Sequence, residues 1–367
     1  MSSKIYELFG FLTEDHSAKA TRHRKQCLCP FMGQICDGGG NRYQSFLHLD
    51  ATRDRELVMF FEGKTADIPA GVCSLLTSDL TWIVCPRRLF VLEKGASHTP
   101  HEDFCEGLLR RFMPTALPCK VGVWSEVKIK YSEKSDEEED EDRTFDYTFD
   151  YIICPTRPKP LTQVATQLGI AEHKLESTLL NNGYTLASRS GKKYIEEYPS
   201  GHPLVIEVMT SSTSGGNKAK GTTIQNAFRN AIMRKTHNAP GINYRQVWAR
   251  MVSQLIVKSQ IGKAWGGQTV WILQDALVSY ISNTTDLNLR KLISKALKDV
   301  NILSLRYAGR VRSGIRPLEV DNLYAGRIPS IHGDTDFNKL LQAATIPPKS
   351  LLESKLLSKK PRASISL

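Results

Sequence analysis

The sequence contains no uninterrupted apolar run that approaches the length needed to cross a lipid bilayer. Acidic residues interrupt the apolar part of its start, MSSKIYELFGFLTEDHSAKA, which argues against a secretory signal. No internal repeat and no strongly basic amphipathic helix is visible. We therefore expect a cytoplasmic protein that has no membrane partner.

Charge is unevenly distributed along the chain. The formal net charge is +11, although residues 136–142 (DEEEDED) contribute seven negative charges, so the rest of the chain carries about +18 (11 plus 7). Such an excess favours a polyanionic partner, with nucleic acid ahead of membrane. A soluble basic protein without such a partner is the alternative. The acidic block itself is interpreted as a solvated loop between two strands.

The length of 367 residues and an apolar content of 41% predict a soluble globular protein with two or three domains, or with one large core that carries insertions. The pattern along the chain divides it into four regions. These are an N-terminal cysteine-containing region (1–100), a core (101–158 and 200–330), an inserted module (159–199) and a basic, loosely ordered C-terminal tail (331–367).

Two alternating segments precede the insertion, at residues 119–131 and 143–154, and are predicted to form a hairpin with the acidic loop at its tip. The second segment places Asp146, Thr148 and Asp150 on one face. The Pro-rich PTRPKP that follows is interpreted as a linker.

The inserted module has the pattern of a winged helix-turn-helix. Val164 and Leu168 suit the inner face of a first short helix, Gly169 suits the turn, and YTLASRSGKKYIEEY suits a two-stranded wing. A small helical insertion without DNA contact is the alternative. The residues expected to face outward at the start of the second helix are Glu172, His173, Lys174 and Ser177.

An acid, Glu207, follows the apolar run of a predicted buried strand in GHPLVIEVMTSS. An acid at the end of a buried strand and a Lys or Gln two positions later would together indicate half of a metal-dependent nuclease site. Here the later position holds Met209. The following loop, SSTSGGNKAKG, carries Lys218 and Lys220 and suits approach to a phosphate backbone. An amphipathic helix over residues 243–264 comes next, with Arg250, Gln254 and Lys258 along one stripe.

The sequence has eight cysteines, which in a cytosolic protein indicate metal or redox chemistry more than disulfides. Four thiolates can enclose one Zn²⁺ or Fe ion and stabilise a fold. The candidate ligands are Cys29, Cys36, Cys73 and Cys85. Scattered buried thiols are the alternative, and Cys27 competes with Cys29. The other cysteines, Cys105, Cys119 and Cys154, have apolar neighbours and are predicted core residues.

Taken together, CPF…C…GVC…VCPRR, the FDY strands, the IEV strand, NYRQVWARMVSQLIVK and VWILQDALVSYI resemble the NotI-type restriction endonuclease family. The resemblance covers most of residues 25–160 and 200–285. It implies an α/β fold with a PD-(D/E)xK nuclease core, in which a mixed sheet is flanked by helices. It also implies a type II endonuclease that cleaves palindromic double-stranded DNA as a homodimer with Mg²⁺, a four-cysteine structural Fe or Zn site, and a cognate DNA methyltransferase as genetic partner. The insertion at 159–199 departs from the family's short connection.

Carried onto this sequence, the resemblance makes Glu207 one Mg²⁺-binding acid and Asp150 the other, with Asp146 as the alternative. Met209 cannot position or deprotonate a water. A migrated polar group would take that role, either Gln254 or Lys258, or else Lys218 or Lys220. Slower cleavage without such a group, and loss of cleavage, remain open.

Arg87, Arg88 and Lys174 join Lys218 and Lys220 as candidate DNA contacts. The rival functions are a non-cleaving, metal-stabilised winged-helix DNA-binding protein and an endonuclease that cuts modified DNA.

Overall fold

The computed structural model shows a mixed α/β protein that contains both helices and sheets. The residues that the structure describes are 3–39, 46–62, 67–78, 80–93, 95, 97–113, 120–133, 143–214, 216, 221–285, 288–328 and 345–367. Among the helices in these ranges, none combines the length and the apolar character that a membrane span requires.

The described ranges contain one large sheet of nine strands. Its strands are β9 (Lys120–Glu133), β10 (Arg143–Pro160), β11 (Leu186–Arg189), β12 (Lys192–Pro199), β13 (Leu204–Met209), β14 (Gln268–Gln274), β15 (Val300–Tyr307), β16 (Leu318–Gly326) and β17 (Ala363–Ser366). The spatial order is β11-β12-β10-β13-β14-β15-β16, and β9 lies along the other edge of β10 with β17 beside it.

The centre of this sheet changes from antiparallel to parallel pairing. β9, β10 and β13 pair antiparallel, whereas β13, β14 and β15 pair parallel. Parallel neighbours need a long crossover connection, which β13 and β14 have in two helices, Ile224–Ile232 and Tyr244–Ala264. The strand QTVWILQ is apolar almost throughout because both of its faces are covered, and its residues from Thr269 to Gln274 are buried.

The helices cover both the large sheet and a smaller N-terminal sheet. They are α1 (Ala18–Gln26), α2 (Arg55–Phe60), α3 (Pro86–Leu89), α4 (Pro100–Phe112), α5 (Leu161–Leu168), α6 (Glu172–Asn181), α7 (Ile224–Ile232), α8 (Tyr244–Ala264), α9 (Asp275–Thr284) and α10 (Lys349–Leu357), with a 3₁₀ turn at Leu289–Leu292. The predicted helix at 243–264 is thus confirmed as α8, and the predicted strand and helix at 268–281 as β14 and α9.

The N-terminal region forms its own antiparallel sheet in the order β2-β1-β7-β8. Its strands and the short ribbons beside it are β1 (Ser3–Leu8), β2 (Phe11–Leu12), β3 (Leu28–Cys29), β4 (Gln34–Ile35), β5 (Phe46–Leu47), β6 (Ile68–Pro69), β7 (Val72–Thr77) and β8 (Leu80–Ile83). The end of β8 joins this sheet to the large one, because Gln274 at the end of β14 accepts a hydrogen bond from the N–H of Ile83 and donates one to the carbonyl of Thr81.

The Pro-rich segment at 155–160 was predicted to be a linker, and this prediction is wrong. The segment continues β10, which pairs with β12 at Thr156, Arg157, Lys159 and Pro160. The register shifts between Arg157 and Lys159, so Pro158 lies in a bulge, where its missing N–H costs no ladder hydrogen bond. The hairpin of β9 and β10 agrees with the predicted pairing, and the acidic block at its tip lies outside the described residues.

The insertion folds as two short helices and a hairpin. α5 ends at Gly169 in the left-handed region (φ +64°), and α6 follows it closely. Leu161, Val164 and Leu175 are buried between the helices and the hairpin. Since β12 also pairs with β10, the hairpin extends the large sheet instead of standing apart from it.

The prediction of a loosely ordered tail is wrong for residues 345–367. Leu352, Leu356 and Leu357 of α10 are buried, and β17 pairs with β9. The indole N–H of Trp124 donates to the carbonyl oxygens of Leu356 and Lys359. The basic composition misled the prediction because the lysines point outward while the leucines at helical spacing enter the core. Residues 331–344 lie outside the described ranges.

Candidate active site

Two carboxylates meet where the antiparallel and parallel halves of the large sheet join. In the pairing of β10 with β13, Tyr151 faces Ile206, so Asp150 is beside Glu207 in the next position. Oδ2 of Asp150 accepts a 2.8 Å hydrogen bond from the N–H of Val208. The N–H of Asp150 in turn donates to the carboxyl group of Glu207. The two acids are therefore fixed by reciprocal backbone contacts across one strand pair.

A lysine from a helix completes this group. Nζ of Lys258 lies 2.6 Å from Oε2 of Glu207 and donates at 2.7 Å to the carbonyl oxygen of Thr148. Its side chain is only 3% exposed. The ammonium also lies over the rings of Phe149 and Trp271, 5.4 Å and 5.9 Å from their centroids. The cation is held by one carboxylate, one carbonyl and two aromatic faces.

The position of Lys258 depends on close contact between α8 and β14. A Cβ atom on Gly262, one turn after Lys258, would lie 2.5 Å from Oγ1 of Thr269, so only glycine permits this approach. The helix is buried on all sides from Val257 to Gly262. Lys258 therefore enters the core from a segment in which its neighbours are also enclosed.

The electrostatics of Glu207 are unusual. Burial, together with the negative charge of Asp150, raises its pKa from 4.5 to about 8, although Lys258 opposes the shift. Its Oε1 atom is buried and has no hydrogen-bond partner among the described residues. A second positive charge beside these two acids would lower the pKa of Glu207, because it favours the ionised carboxylate. It would also give the buried Oε1 atom a partner.

The two carboxylates fit Mg²⁺ by their chemistry. Mg²⁺ is commonly held by one or two carboxylates, with water and substrate phosphates as its other ligands. Within the described ranges, no group of three or more His, Cys, Asp or Glu side chains is arranged to hold a metal ion. The oxygen that Glu207 leaves without a partner is therefore the observation that favours a cation here.

Met209 has a packing role in place of a polar one. It lies on the same face of β13 as Glu207 and packs against the apolar cluster that contains Trp82, Met251 and Trp271. A charged group there would be desolvated among hydrocarbon and aromatic side chains. Within the described residues, the amine that contacts Glu207 comes instead from Lys258 on α8, which is one of the positions that the sequence predicted. Gln254, one turn earlier on α8, is half-buried.

Asp146 does not share this site. It lies four residues before Asp150, about 13 Å along the strand at the usual rise, and beyond the part of β10 that pairs with β13. Its carboxylate forms a 3.4 Å ion pair with Lys128 on β9 and is 42% exposed. Of the two candidate acids, Asp150 is the one beside Glu207.

The four candidate cysteine ligands gather in the N-terminal region, where all of them are buried in one core cluster. The N–H groups of Val84 and Cys85 donate to the carbonyl of Cys73, and the thiols of Cys73 and Cys85 hydrogen-bond to each other. Burial and the proximity of Cys85 raise the pKa of Cys29, and burial and Cys29 do the same for Cys36. The chemistry of four thiols suits a soft or borderline metal such as Zn²⁺ or Fe, although no three of these side chains within the described ranges are arranged to hold one.

The remaining cysteines that the structure describes have other surroundings. Cys105 and Cys154 are buried in the two clusters that line the large sheet, in agreement with their prediction as core residues. Cys27, the alternative to Cys29, is the left-handed residue that ends α1, and its carbonyl accepts from the N–H of Cys36. Cys119 lies outside the described residues.

Arg88 was predicted as a DNA contact, and this prediction is wrong. Its side chain is 1% exposed and forms a buried pair with Glu7, with N–O distances of 3.2–3.3 Å. The same carboxylate accepts from the hydroxyls of Ser74 and Tyr307. A guanidinium this enclosed joins the N-terminal sheet to β15 and cannot reach a solvent-side ligand.

The other candidate DNA contacts differ in their exposure to solvent. Arg87 is mostly buried and pairs with Asp37 and Glu93, and it also donates to the hydroxyl of Tyr151. Lys174 is exposed near the start of α6, as are Glu172, His173 and Ser177. Lys218 and Lys220 lie outside the described residues.

The sequence did not identify the groups that hold the site residues in place. The Thr148 carbonyl accepts from Lys258, and Trp271 is the direct neighbour of Glu207 across the parallel pair. A backbone carbonyl acceptor cannot be predicted from the pattern of side chains, because every residue has one. The strand VWILQ did signal that Trp271 would be buried, but its partner strand was not predictable from spacing.

No protein-family model matches this chain, and a search of curated proteins finds no match either. The functional proposal therefore depends on the arrangement of Asp150, Glu207 and Lys258.

Proposed function

We propose that this protein is a Mg²⁺-dependent endonuclease that hydrolyses phosphodiester bonds at a specific site in double-stranded DNA, as a type II restriction enzyme does. The observation that supports it best is the contact of the Lys258 ammonium with Glu207, with the carboxylate of Asp150 beside them. Two acids and one amine are the groups that the PD-(D/E)xK reaction requires, and here three separate elements supply them.

Asp150 and Glu207 would hold the cation between them. When bound, Mg²⁺ supplies Lewis-acid stabilisation of the charge that develops on the phosphate oxygens and lowers the pKa of a water. Glu207 has to be ionised for this role. The nearby ammonium of Lys258 favours that ionised form, which offsets part of the penalty of burial.

Lys258 would supply the amine that positions the attacking water, a role that the Met209 side chain cannot fill. Its Nζ donates to Glu207 and to the Thr148 carbonyl, so two of its three protons fix its direction and one is left to orient the attacking water. Phe149 and Trp271 exclude bulk solvent from the lysine, and this preserves the strength of its electrostatic contacts.

The wider proposal follows the family resemblance. The basic excess of the chain supplies salt-sensitive attraction to the DNA backbone. The helix pair and hairpin at 159–199 would extend the contact through the exposed start of α6, including Lys174. Cys29, Cys36, Cys73 and Cys85 would hold a structural Zn or Fe ion, and a homodimer would match a palindromic site. The cytoplasm and a cognate methyltransferase remain the expected cellular setting.

Digestion of a long unmethylated DNA with Mg²⁺, followed by sequencing of the fragment ends, tests this function and reports the site and stagger together. We expect discrete fragments from the wild-type protein and none from Glu207→Gln or in EDTA. Lys263→Ala is the matched control, since Lys263 lies on the same helix but pairs at the surface with Asp299. Binding without cleavage on both unmethylated and methylated DNA would overturn the proposal in favour of a non-cleaving DNA-binding protein. Cleavage of methylated DNA alone would identify a modification-dependent enzyme.

A further inference from the structure

A cleft that contains none of the three site residues opens at the carboxyl ends of β14 and β15. Its volume is about 590 Å³, within the range of about 300–1,000 Å³ that is typical of small-ligand sites. Residues from β8, the starts of α8 and α9, and the end of β15 line it. In open sheets with parallel strands, this end is where ligands commonly bind.

Aromatic rings form one wall of the cleft. Tyr244 stacks on Trp82, with centroids 6.0 Å apart and planes at 20°, and lies 4.5 Å from the ring of Tyr280. Tyr244 is nevertheless 38% exposed. A planar ligand can therefore reach a π-face that neighbouring rings already hold in a fixed orientation.

Polar groups also line the cleft. Asp275 begins α9, and desolvation raises the pKa of its carboxyl group. Asn283 and Ser279 lie further along the same helix and are exposed. The Asp275 carboxylate can accept from an exocyclic amine at the edge of a heterocycle.

An arginine adds positive charge at the rim. The guanidinium of Arg316 donates to two neutral oxygens, the carbonyl of Gly309 and the hydroxyl of Tyr6. It also lies over the ring of Tyr307, 4.7 Å from the centroid. Arg306, in contrast, pairs with Glu319 and Asp321. Arg316 is therefore the better partner for a phosphate on a ligand in this cleft.

The cleft shares its packing with the candidate active site. Trp82 belongs to the same apolar cluster as Trp271, the neighbour of Glu207, and Met209 packs against that cluster. Gln274, at the end of β14, lines the cleft and fixes β8 beside it. Both sites thus occupy the same end of the parallel strands.

We propose that this cleft binds a nucleobase that has turned out of the DNA helix, with the base stacked on Tyr244 and Tyr280 and its edge at Asp275. The inference rests on the proposed function for its DNA substrate, but it concerns binding and not cleavage. Stacking of a base on an aromatic side chain contributes about 1–3 kcal/mol. A carboxylate at the base edge suits an exocyclic amine such as that of cytosine.

The test compares the affinity of the protein for a duplex with one central mismatch and for its matched counterpart, because a mismatched base costs less to unpair. The Glu207→Gln protein in EDTA is used, so that cleavage and the cation do not contribute. We expect it to prefer the mismatched duplex by about fivefold or more, because the lower cost of unpairing the mismatched base is the difference between the two affinities. Tyr244→Ala and Asp275→Asn should each remove most of this preference.

Two variants away from the cleft serve as controls. Phe46→Ala removes an exposed aromatic ring from β5, and Asp103→Asn neutralises an exposed acid on α4. Both should keep the preference. Equal affinity for the two duplexes, or a preference that survives Tyr244→Ala and Asp275→Asn, would overturn the inference. A mismatch preference without any Mg²⁺-dependent cleavage by the wild-type protein would instead reject the nuclease alone.

Discussion

The ammonium of Lys258 lies 2.6 Å from Oε2 of Glu207, although the two residues are 51 positions apart and belong to a helix and a strand. The position two residues after Glu207, where a polar group was expected, holds Met209 in an apolar cluster. The amine of Lys258 therefore reaches Glu207 from helix α8 and not from the strand that carries Glu207. This relationship gives the nuclease proposal its sharpest tests.

Lys258→Met should lower the rate of Mg²⁺-dependent DNA cleavage by about 10²–10⁴-fold, the usual contribution of a positioned acid–base group. Methionine has a similar length but no proton to donate. The measurement is single-turnover cleavage of a plasmid, with thermal unfolding as a check on folding. Lys263→Met on the same helix should cleave at the wild-type rate. A fully active Lys258→Met protein would contradict the role of Lys258.

Met209→Leu should retain cleavage within about twofold and change stability by less than about 1.5 kcal/mol, as volume-conserving apolar exchanges do. The reason is that Met209 contributes packing against Trp82 and Met251 and no chemistry. Cleavage rates and urea unfolding are the measurements. A large loss of activity in a stably folded Met209→Leu protein would show that the thioether acts in the reaction.

The raised pKa of Glu207 predicts a pH-dependent cost in the cation-free protein. Between pH 4.5 and about 8 the unfolded chain loses this proton while the folded chain keeps it, so stability falls as pH rises through that window. Glu207→Gln removes the effect and should gain stability relative to wild type by a few kcal/mol, reaching a plateau above pH 8. Urea unfolding in EDTA at several pH values measures this. Parallel curves for the two proteins would contradict it.

Protein purified without added metal should contain about one Fe or Zn ion per chain if the four thiols form a closed site. Cys85→Ser should lose the metal and unfold at a lower temperature, because Cys85 lies close to both Cys29 and Cys73. Elemental analysis is the measurement. Cys105→Ser, which alters a buried thiol in a different cluster, should keep the metal. No stoichiometric metal in the wild-type protein would remove this site from the proposal.

Arg88→Ala should destabilise the protein by about 3–5 kcal/mol, since it leaves the carboxylate of Glu7 buried without its partner. The fraction that remains folded should bind DNA with unchanged affinity and salt dependence. Urea unfolding and DNA titration separate the two effects. Arg110→Ala, which removes a half-exposed arginine from α4, is the control and should change stability by less than about 0.5 kcal/mol. A weaker, less salt-dependent DNA complex in stable Arg88→Ala protein would restore the original prediction.

Several elements could be predicted because their pattern is local. The amphipathic spacing in NYRQVWARMVSQLIVK marked α8, and the apolar run VWILQ marked β14. The turn between the two short helices α5 and α6 was predictable because it depends on a single residue. Gly169 adopts the left-handed backbone conformation that ends α5. The prediction for the C-terminal segment was wrong because it relied on the basic composition and gave too little weight to the leucines. Three of those leucines are buried.

The sequence by itself determined which residues carry charge, which runs are apolar and where the chain turns, since these depend on side-chain chemistry and near neighbours. It also limited the replacement for Met209 to a few polar side chains. Only the tertiary structure showed that Lys258 is the candidate that contacts Glu207 within the described residues, and that Asp150 and not Asp146 lies beside that acid. Strand register, the close contact at Gly262 and the direction of α8 fix which groups meet. The reason is that proximity between segments 50 or more positions apart is set by packing of the whole core, which no local pattern encodes.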